Sequence, residues 1–126
     1  MKALPKVNSV VEAFASKNVA YKLVYVTEAH PTDGWWSQVA PKQFKQVRYA
    51  TSVEERLETA RAFAELCEVD EEHVIVDGIG DALEHAYEAR PERLYVLKDG
   101  KVLWRCGLGP FEYDPDGLKD FLDANA

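Results

Sequence analysis

The chain has 126 residues, 47% of them hydrophobic and 29% charged, a composition that is typical of one globular domain and unlike that of a disordered segment. Its 15 Lys and Arg are outnumbered by 22 acids, and the net charge of −7 argues against nucleic acid or an anionic membrane surface as a partner. No apolar run is long enough to span a membrane, and no signal-peptide core follows the first residues. We therefore expect a cytoplasmic protein.

The N-terminal third predicts a helix, a strand and a long loop. Apolar residues at helical spacing indicate an amphipathic helix from Lys2 to about Lys17, which Asn18 would end. A β-branched and aromatic strand follows from Tyr21 to Val26, and a loop then runs from Glu28 to about Thr51. Loops of this length in compact domains are usually functional or disordered.

The second helix begins at a capping box, Ser52-Val53-Glu54-Glu55. Helical spacing then predicts one apolar face that packs on a sheet, and Cys67 falls on this face, which favours a core role over chemistry. The residues of the predicted face are Val53, Leu57, Ala60, Phe63, Ala64 and Cys67.

The C-terminal half predicts a strand, a helix, a hairpin and a last helix. Val74–Val76 is a short apolar strand, and a helix is expected from about Asp81 to Ala89. Arg93–Leu97 and Lys101–Arg105 predict a hairpin with an Asp-Gly turn. Asp114 opens the final helix, whose inner face would be Leu118, Phe121 and Leu122. The order α-β-α-β-α-β-β-α predicts one α/β domain over residues 1–126.

Metal and redox signals are weak. Cys67 and Cys106 form no CxxC motif, and two buried thiols are favoured over a long-range disulfide in a reducing compartment. His73 and His85 lie among acids and are interpreted as surface residues. Since no His, Cys and carboxylate cluster has metal-ligand spacing, we expect neither a metal nor a cofactor.

The loop after the first strand carries the most specific pattern. Residues 28–35 read Glu-Ala-His-Pro-Thr-Asp-Gly-Trp and follow a Val-Tyr-Val strand. The carboxyl end of such a strand in an open α/β sheet is where ligands bind, although a strand tip that faces water would look the same. Trp35 and Trp36 would either bury a face of the loop or line a pocket for a flat apolar ligand.

This pattern resembles the Glu-Ala-His-x-x-Asp-Gly-Trp signature of the iodothyronine deiodinases and their bacterial deiodinase-like relatives. Further anchors of the resemblance are Glu55-Arg56, the strand ending in Asp77, Pro91–Val96 and the run Gly109-Pro110-Phe111-Glu112-Tyr113. It implies a thioredoxin-like α/β fold, and the closing hairpin and helix are similar to the end of thioredoxin. Thioredoxin-fold enzymes place a cis-proline before this hairpin, and counting back from the turn puts Glu92 there, one residue after Pro91.

Members of this family use a selenocysteine or cysteine nucleophile, which an external thiol resets. It lies at the end of a strand, directly before the helix that corresponds here to Lys2–Lys17. We hypothesise that the nucleophile is encoded upstream of Met1 and that an in-frame UGA was taken for a stop. The missing strand would lie between Lys22–Val26 and Arg93–Leu97, so these strands would pair directly, or another chain would fill the gap, or the domain would loosen. We expect reduced stability or self-association as a homo-oligomer.

The resemblance also assigns roles to four residues. His30 would hydrogen-bond the substrate or relay a proton, and Glu28 would orient its imidazole. Glu92 would lie near the amino acid end of an iodothyronine, and Trp35 would wall the pocket. Two positions depart from the animal enzymes, because Ala50 replaces a histidine and Leu108 replaces an Arg or Lys. Both departures weaken the case for iodothyronine as the substrate.

Three functions follow as hypotheses. The first is a deiodinase-like thiol or selenol oxidoreductase that acts on a small iodothyronine-like aromatic or on a peroxide, with a thiol reductant as partner. The second is a non-catalytic binding or scaffold protein that has lost the nucleophile. In the third, Cys106 serves as a substitute thiol.

Overall fold

A computed structural model of the protein describes residues 4–27, 49–109 and 111–126 and has a mixed α/β fold, as predicted. Among these residues, no helix has both the length and the apolar character needed to cross a membrane. A short 3-10 helix, Glu71–His73, precedes the second strand. The elements in chain order are α1 (Leu4–Phe14), β1 (Leu23–Tyr25), α2 (Val53–Leu66), β2 (Val74–Val76), α3 (Ala82–Tyr87), β3 (Tyr95–Lys98), β4 (Lys101–Arg105) and α4 (Pro115–Asn125).

The elements form two compact units. The first, here called the hairpin unit, consists of Met1–Lys22 and Glu92–Ala126, and the second, the central unit, is Leu23–Pro91. Each unit contains one two-stranded sheet, β3-β4 in the hairpin unit and β1-β2 in the central unit. The prediction of a single domain over residues 1–126 stays a prediction.

The hairpin unit is built around the Asp-Gly turn that the sequence predicts. Asp99 and Gly100 both have positive φ, 52° and 75°, as a two-residue hairpin turn of this type requires. β3 and β4 pair antiparallel, and a shift of register after Val96 leaves Leu103 as an extra residue in β4. One buried cluster joins α1 and α4, which confirms the predicted inner face of the last helix; its members are Val10, Phe14, Leu118 and Leu122.

The ends of α1 and α4 follow local rules. α1 ends at Phe14, so the prediction that it reaches about Lys17 and is ended by Asn18 was wrong. Asn18 adopts a left-handed conformation, φ 57°, in the turn that follows. Asp114 caps α4 by accepting a hydrogen bond from the Gly117 amide at 2.9 Å. The Trp104 ring stacks on Phe121 of α4, with ring centroids 6.3 Å apart.

The central unit pairs β1 and β2 in parallel, with Leu23 opposite Val74 and Tyr25 opposite Val76. The Tyr25 ring meets the Phe63 ring of α2 edge-on at 5.6 Å, so α2 covers one face of this sheet. β1 is shorter than the predicted strand from Tyr21 to Val26. β1 pairs within the described chain with β2, and β3 with β4.

The buried face of α2 differs from the predicted one. Arg56 is 2% exposed, together with Ala60 and Ala64, whereas Val53 and Leu57 are 39% and 37% exposed. Cys67 is the C-cap of α2, one residue beyond its end, where its amide donates to the Phe63 carbonyl oxygen at 2.9 Å, and it is half-buried. The buried face of α2 therefore contains Arg56, Ala60 and Ala64, whereas Val53 and Leu57, which apolar spacing had placed on it, are exposed.

The segment before β3 contains a cis peptide bond between Arg90 and Pro91. The prediction that Glu92 occupies the cis-proline position was therefore wrong. Pro91 is the cis residue, and Glu92 follows it.

Candidate functional site

Of the four predicted site residues, only Glu92 lies within the described chain. Glu28, His30 and Trp35 fall in the stretch 28–48, outside the described residues. Their proposed roles therefore stay predictions, and the structure bears on them through the residues that precede and follow this stretch. The described chain stops at Thr27, directly before Glu28, and resumes at Tyr49.

Glu92 is half-buried in the hairpin unit and lies against Gly109. The Gly109 amide donates to the Glu92 carbonyl oxygen at 2.9 Å. A Cβ atom at position 109 would lie 2.5 Å from Cγ and 2.8 Å from Oε1 of Glu92, which is far closer than side-chain contacts allow. The absence of a side chain at Gly109 therefore leaves the space that the Glu92 side chain fills.

A second carboxylate packs on the same loop in the same way. A Cβ atom at Gly107 would overlap the side chain of Glu112, whose amide donates to the Leu108 carbonyl oxygen at 3.2 Å. Leu108 is 40% exposed between the two glycines. The loop after β4 thus presents an apolar side chain where the animal enzymes, by the resemblance above, carry a cation.

Tyr113 lies in the same neighbourhood. Burial raises the pKa of its hydroxyl above the ordinary value, and the nearby Tyr21, Glu92 and Cys106 raise it further in the same direction. Burial also raises the pKa of Tyr21. Glu92 therefore shares its surroundings with a phenol that keeps its proton and can act as a hydrogen-bond donor.

Cys106 is buried inside the hairpin unit rather than exposed to a substrate at its surface. It is 5% exposed, and its Sγ accepts a hydrogen bond from the Leu94 amide at 3.2 Å. Its carbonyl oxygen accepts from Arg93 Nε at 3.0 Å. A thiol that is to attack a substrate must be reached by it, so this burial argues against Cys106 as the substitute nucleophile.

Cys67 offers no better nucleophile. Neither cysteine is in a disulfide, and burial raises the pKa of the Cys67 thiol, so less of it is thiolate at neutral pH. The expectation of two buried thiols is met by Cys106, whereas Cys67 is half-buried.

In the central unit, Arg56 joins α2 to the turn after β2. Its Nη1 atom donates to the carbonyl oxygens of Asp77 at 3.1 Å and Gly78 at 2.8 Å. Asp77, 1% exposed, accepts from the amides of Leu83 and Glu84 at 3.0 and 2.9 Å, and so satisfies the start of α3. These bonds fix the turn that lies beside the end of β1, since the Asp77 amide donates to the Tyr25 carbonyl oxygen at 2.9 Å.

One group of possible metal ligands was not expected from the sequence. Single ligand atoms of Asp70, Glu72 and His73 lie within 4.8 Å of one another at the 3-10 helix. The prediction that no such cluster has suitable spacing was wrong in this respect. Both acids are exposed, and Asp70 already accepts from the Glu72 amide at 3.2 Å as the helix cap, so the arrangement serves the turn itself.

Sequence reasoning named Arg56, Asp77, Gly109 and Tyr113 only as parts of the family resemblance and predicted no contact for any of them. Buried Arg and Asp interrupt an apolar pattern and give no periodic signal of their own. The signal available for Gly109 was the run of turn residues after β4, which predicts a turn without saying which side chain fills it.

Comparisons with known proteins place this chain in a family. The sequence model of the family described as iodothyronine deiodinase matches residues 1–126. Thyroxine 5-deiodinase of Sparus aurata is 38% identical over 103 residues, which cover 82% of this chain and 37% of the relative. The enzymes named thyroxine 5-deiodinase from Sus scrofa and Homo sapiens are each 32% identical, over 85% of this chain and 33% and 34% of the relatives.

These matches define a class of protein, since the sequence is similar to those of enzymes named thyroxine 5-deiodinase. The chain belongs to the iodothyronine deiodinase family. It spans about a third of the length of the curated relatives that it matches.

Proposed function

We propose that this chain is the substrate-handling part of a deiodinase-like thiol or selenol oxidoreductase that acts on a small halogenated aromatic. The observation that carries the proposal is the Glu-Ala-His-Pro-Thr-Asp-Gly-Trp run at residues 28–35 within a family match over the whole chain. The named relatives are thyroxine 5-deiodinases, which supports an iodothyronine-like aromatic as the class of substrate. We propose the reduction of a peroxide by the same nucleophile as a second reaction of the protein.

The proposed fold is thioredoxin-like, with the nucleophile on a strand directly before α1. Burial of Cys106 and the raised pKa of Cys67 support a nucleophile that is neither of these cysteines. A selenol or thiol encoded upstream of Met1 fits the chemistry, because the attacking species must be an anionic selenium or sulfur. The protein is proposed to work in the cytoplasm, where thiol reductants are abundant.

The proposed reaction balances with an external thiol. The nucleophile takes the iodine as the carbon–iodine bond breaks, and a proton from His30 goes to the ring carbon. A first thiol then displaces iodide and forms a mixed bond to the nucleophile, and a second thiol releases the nucleophile and leaves a disulfide. One aryl iodide and two thiols thus become one arene, one hydrogen iodide and one disulfide.

Glu28 would hold the imidazole of His30 in the orientation that this proton transfer needs. Glu92 would bind a polar group of the substrate in the hairpin unit, with Tyr113 as a neutral donor beside it. Leu108 supplies no charge for a substrate carboxylate, so we propose an aromatic whose binding does not depend on one. Trp35 would stack against the ring.

One observation favours a different function. In the part of the chain that the structure describes, Cys106 is buried and its sulfur is engaged by the Leu94 amide. A buried Cys106 that cannot attack a substrate fits a non-catalytic binding or scaffold protein that kept the family's fold. This alternative predicts binding of an aromatic or protein partner without turnover.

The test is an activity measurement on an extended version of the chain. A strand that ends in Cys or Sec is placed directly before Met1, and iodide release from a test aryl iodide is followed with dithiothreitol as the reductant. We expect release with either nucleophile, faster with Sec, and none with the same extension ending in Ser. His30→Ala should slow release by about 10²-fold or more, the range of general acid catalysis, whereas His85→Ala should not.

Two results would count against the proposal. No iodide release from a folded Cys-extended or Sec-extended chain would favour the binding protein. Release that is unchanged by His30→Ala would keep the enzyme but remove His30 from the mechanism.

A further inference from the structure

In the part of the chain that the structure describes, β2 has a strand partner on one edge and none on the other. β1 pairs with it in parallel, with Tyr25 opposite Val76. The Asp77 amide donates to the Tyr25 carbonyl oxygen at 2.9 Å, and in such a ladder every second residue directs its backbone groups to the same neighbour. Ile75 therefore directs its amide and carbonyl groups to β1, whereas Val74 and Val76 direct theirs to the open edge.

Three backbone groups at this open edge are available to a further strand. The Val74 amide is already bonded, since it donates to the Glu71 carbonyl oxygen at the end of the 3-10 helix. The Val74 carbonyl oxygen and the amide and carbonyl groups of Val76 have no hydrogen-bond partner among the described residues. A strand edge with free donors and acceptors is the surface to which extended peptides add.

A cleft of about 130 Å³ lies beside the open edge, between β2 and α2. Val74 and Val76 line it from the strand, Leu57, Ala60 and Ala64 line it from the helix, and none of the described lining residues comes from β1. Residues opposite each other on neighbouring strands point to the same side of a sheet, so a strand added here would direct the side chain opposite Val76 into this cleft. An apolar cavity of about 150 Å³ holds a benzene molecule, so the cleft has room for a branched apolar side chain.

The charges around the cleft indicate which partner fits. Arg61 and Glu71 are the charged residues among those that line it in the described chain. Glu71 belongs to a run in which Glu68, Asp70 and Glu72 are also exposed, directly before β2. The excess of acids favours a partner that carries Lys or Arg at this end of the strand. A second copy of the chain would bring the same acids to the same edge, so charge disfavours it.

We propose that the open edge of β2 is a docking site for an extended segment of another protein, in which apolar residues alternate with polar ones and Lys or Arg follow. In antiparallel addition the residue opposite Val76 exchanges two hydrogen bonds with it, and the residue two positions later donates to the Val74 carbonyl oxygen. The segment then continues past the acids at residues 68–72. The proposal involves none of the residues to which the proposed function assigns a role, so the two can fail separately.

The test uses the 126-residue chain, labelled with ¹⁵N, and the synthetic peptide acetyl-Thr-Val-Thr-Val-Thr-Lys-Lys-amide. Two N-methylated peptides are compared with it. One carries N-methyl groups on both Val residues, whose amides would donate to Val76 and Val74. The other carries them on the two Thr residues that directly follow each Val, whose amides would point away from β2, so it is the matched control.

We expect the peptide to shift the amide signals of Val74 and Val76 in a saturable way and to slow exchange of the Val76 amide with solvent. Methylation of the Val amides should weaken binding by about tenfold or more, because hydrogen bonds to β2 are lost. Methylation of the Thr amides should change it by less than about threefold.

A pair of charge variants tests the choice of a basic partner. Glu71→Lys and Glu12→Lys change the net charge by the same amount, and Glu12 lies on α1 in the hairpin unit. Glu71→Lys should weaken binding of the peptide by about threefold or more, the range of exposed ion pairs, and Glu12→Lys should not. A peptide with Glu in place of both Lys residues should bind the parent more weakly than the original does.

The docking site is overturned if up to about 1 mM peptide gives no saturable shift at β2, or if the two N-methylated peptides bind equally well. Equal binding to Glu71→Lys and Glu12→Lys would overturn the basic partner. If exchange of the Val76 amide slows as the protein concentration is raised without peptide, the occupant is a second copy of the chain, which also overturns the proposal.

Discussion

Glu92 keeps its place beside the loop after β4 because Gly109 has no side chain. The glycine amide binds the Glu92 carbonyl oxygen at 2.9 Å, and the Glu92 side chain fills the space that a Cβ at position 109 would need. Cγ is the nearest atom, so the clash would involve the base of the side chain and could not be relieved by turning the carboxylate alone. One absent methyl group thus controls where a predicted substrate-binding acid lies.

Gly109→Ala should destabilise the hairpin unit by about 1–3 kcal/mol, the usual cost of forcing an extra carbon into a packed site. Urea unfolding followed by circular dichroism measures this cost. Glu92→Ala removes the atoms with which the new methyl group collides, so Gly109→Ala should cost clearly less in that background. Equal costs in the two backgrounds would show that the contact with Glu92 is not the cause.

At the scale of the element, α2 shows what local chemistry can and cannot predict. Ser52 accepts from the Glu55 amide at 3.2 Å, so the helix start was predictable from four residues. The Glu55 carboxylate binds the Thr51 amide and hydroxyl at 2.8 and 2.9 Å, one residue earlier than a reciprocal capping box would place it. The start of the helix follows from the sequence, whereas the details of its cap depend on the path of the preceding chain.

The buried face of α2 could not be predicted in the same way. Arg56 is buried because the carbonyl oxygens of Asp77 and Gly78 accept from its Nη1 atom, and those residues lie 21 and 22 positions further along the chain. Such partners come together only through the fold, and apolar spacing therefore favoured Val53 and Leu57. The hairpin turn, in contrast, depends on Asp99 and Gly100 alone, and its prediction was confirmed.

The candidate site shows the same difference between features that depend on neighbouring residues and features that depend on contacts distant in sequence. The Glu28–Trp35 motif was found because its residues are adjacent in sequence, and its structure lies outside the described residues. The surroundings of Glu92 were not found, because Gly109 and Tyr113 reach it from across the hairpin unit.

Ser52→Ala should lower the stability of the central unit by about 1 kcal/mol, because the Glu55 amide loses its acceptor. Thermal and urea unfolding by circular dichroism measure the loss. Ser52→Asp should retain most of the stability, since a carboxylate also caps a helix start. Ser9→Ala is the matched control, because the Ser9 hydroxyl donates to the Pro5 carbonyl oxygen inside α1 and caps no helix. A loss at Ser9 as large as that at Ser52 would contradict this account.

At the scale of the whole molecule, burial raises the pKa of Tyr21 and of Tyr113, which makes the stability of the folded protein depend on pH in the alkaline range. Tyr113 keeps its proton in the folded state at pH values where it loses it in the unfolded chain, because burial raises its pKa above the ordinary value of 10.0. Its contribution is fully present below about pH 10. Above that pH the unfolded chain binds fewer protons than the folded one, so the free energy of unfolding falls as pH rises.

Tyr113→Phe should therefore flatten the loss of stability between about pH 10 and pH 12, compared with the parent chain. Urea midpoints measured at several pH values in this window give the slope. A parent and a Tyr113→Phe variant with parallel slopes would contradict the proposed burial of the phenol.

The proposal as a whole depends on a nucleophile that precedes α1, and the genomic DNA immediately upstream of the Met1 codon tests it most directly. We expect the reading frame to continue upstream through a segment that encodes an apolar strand and ends in a UGA or Cys codon shortly before the codons of α1. Stop codons in that frame, with no strand-coding segment beside them, would contradict the account and make the non-catalytic role the better explanation of this chain.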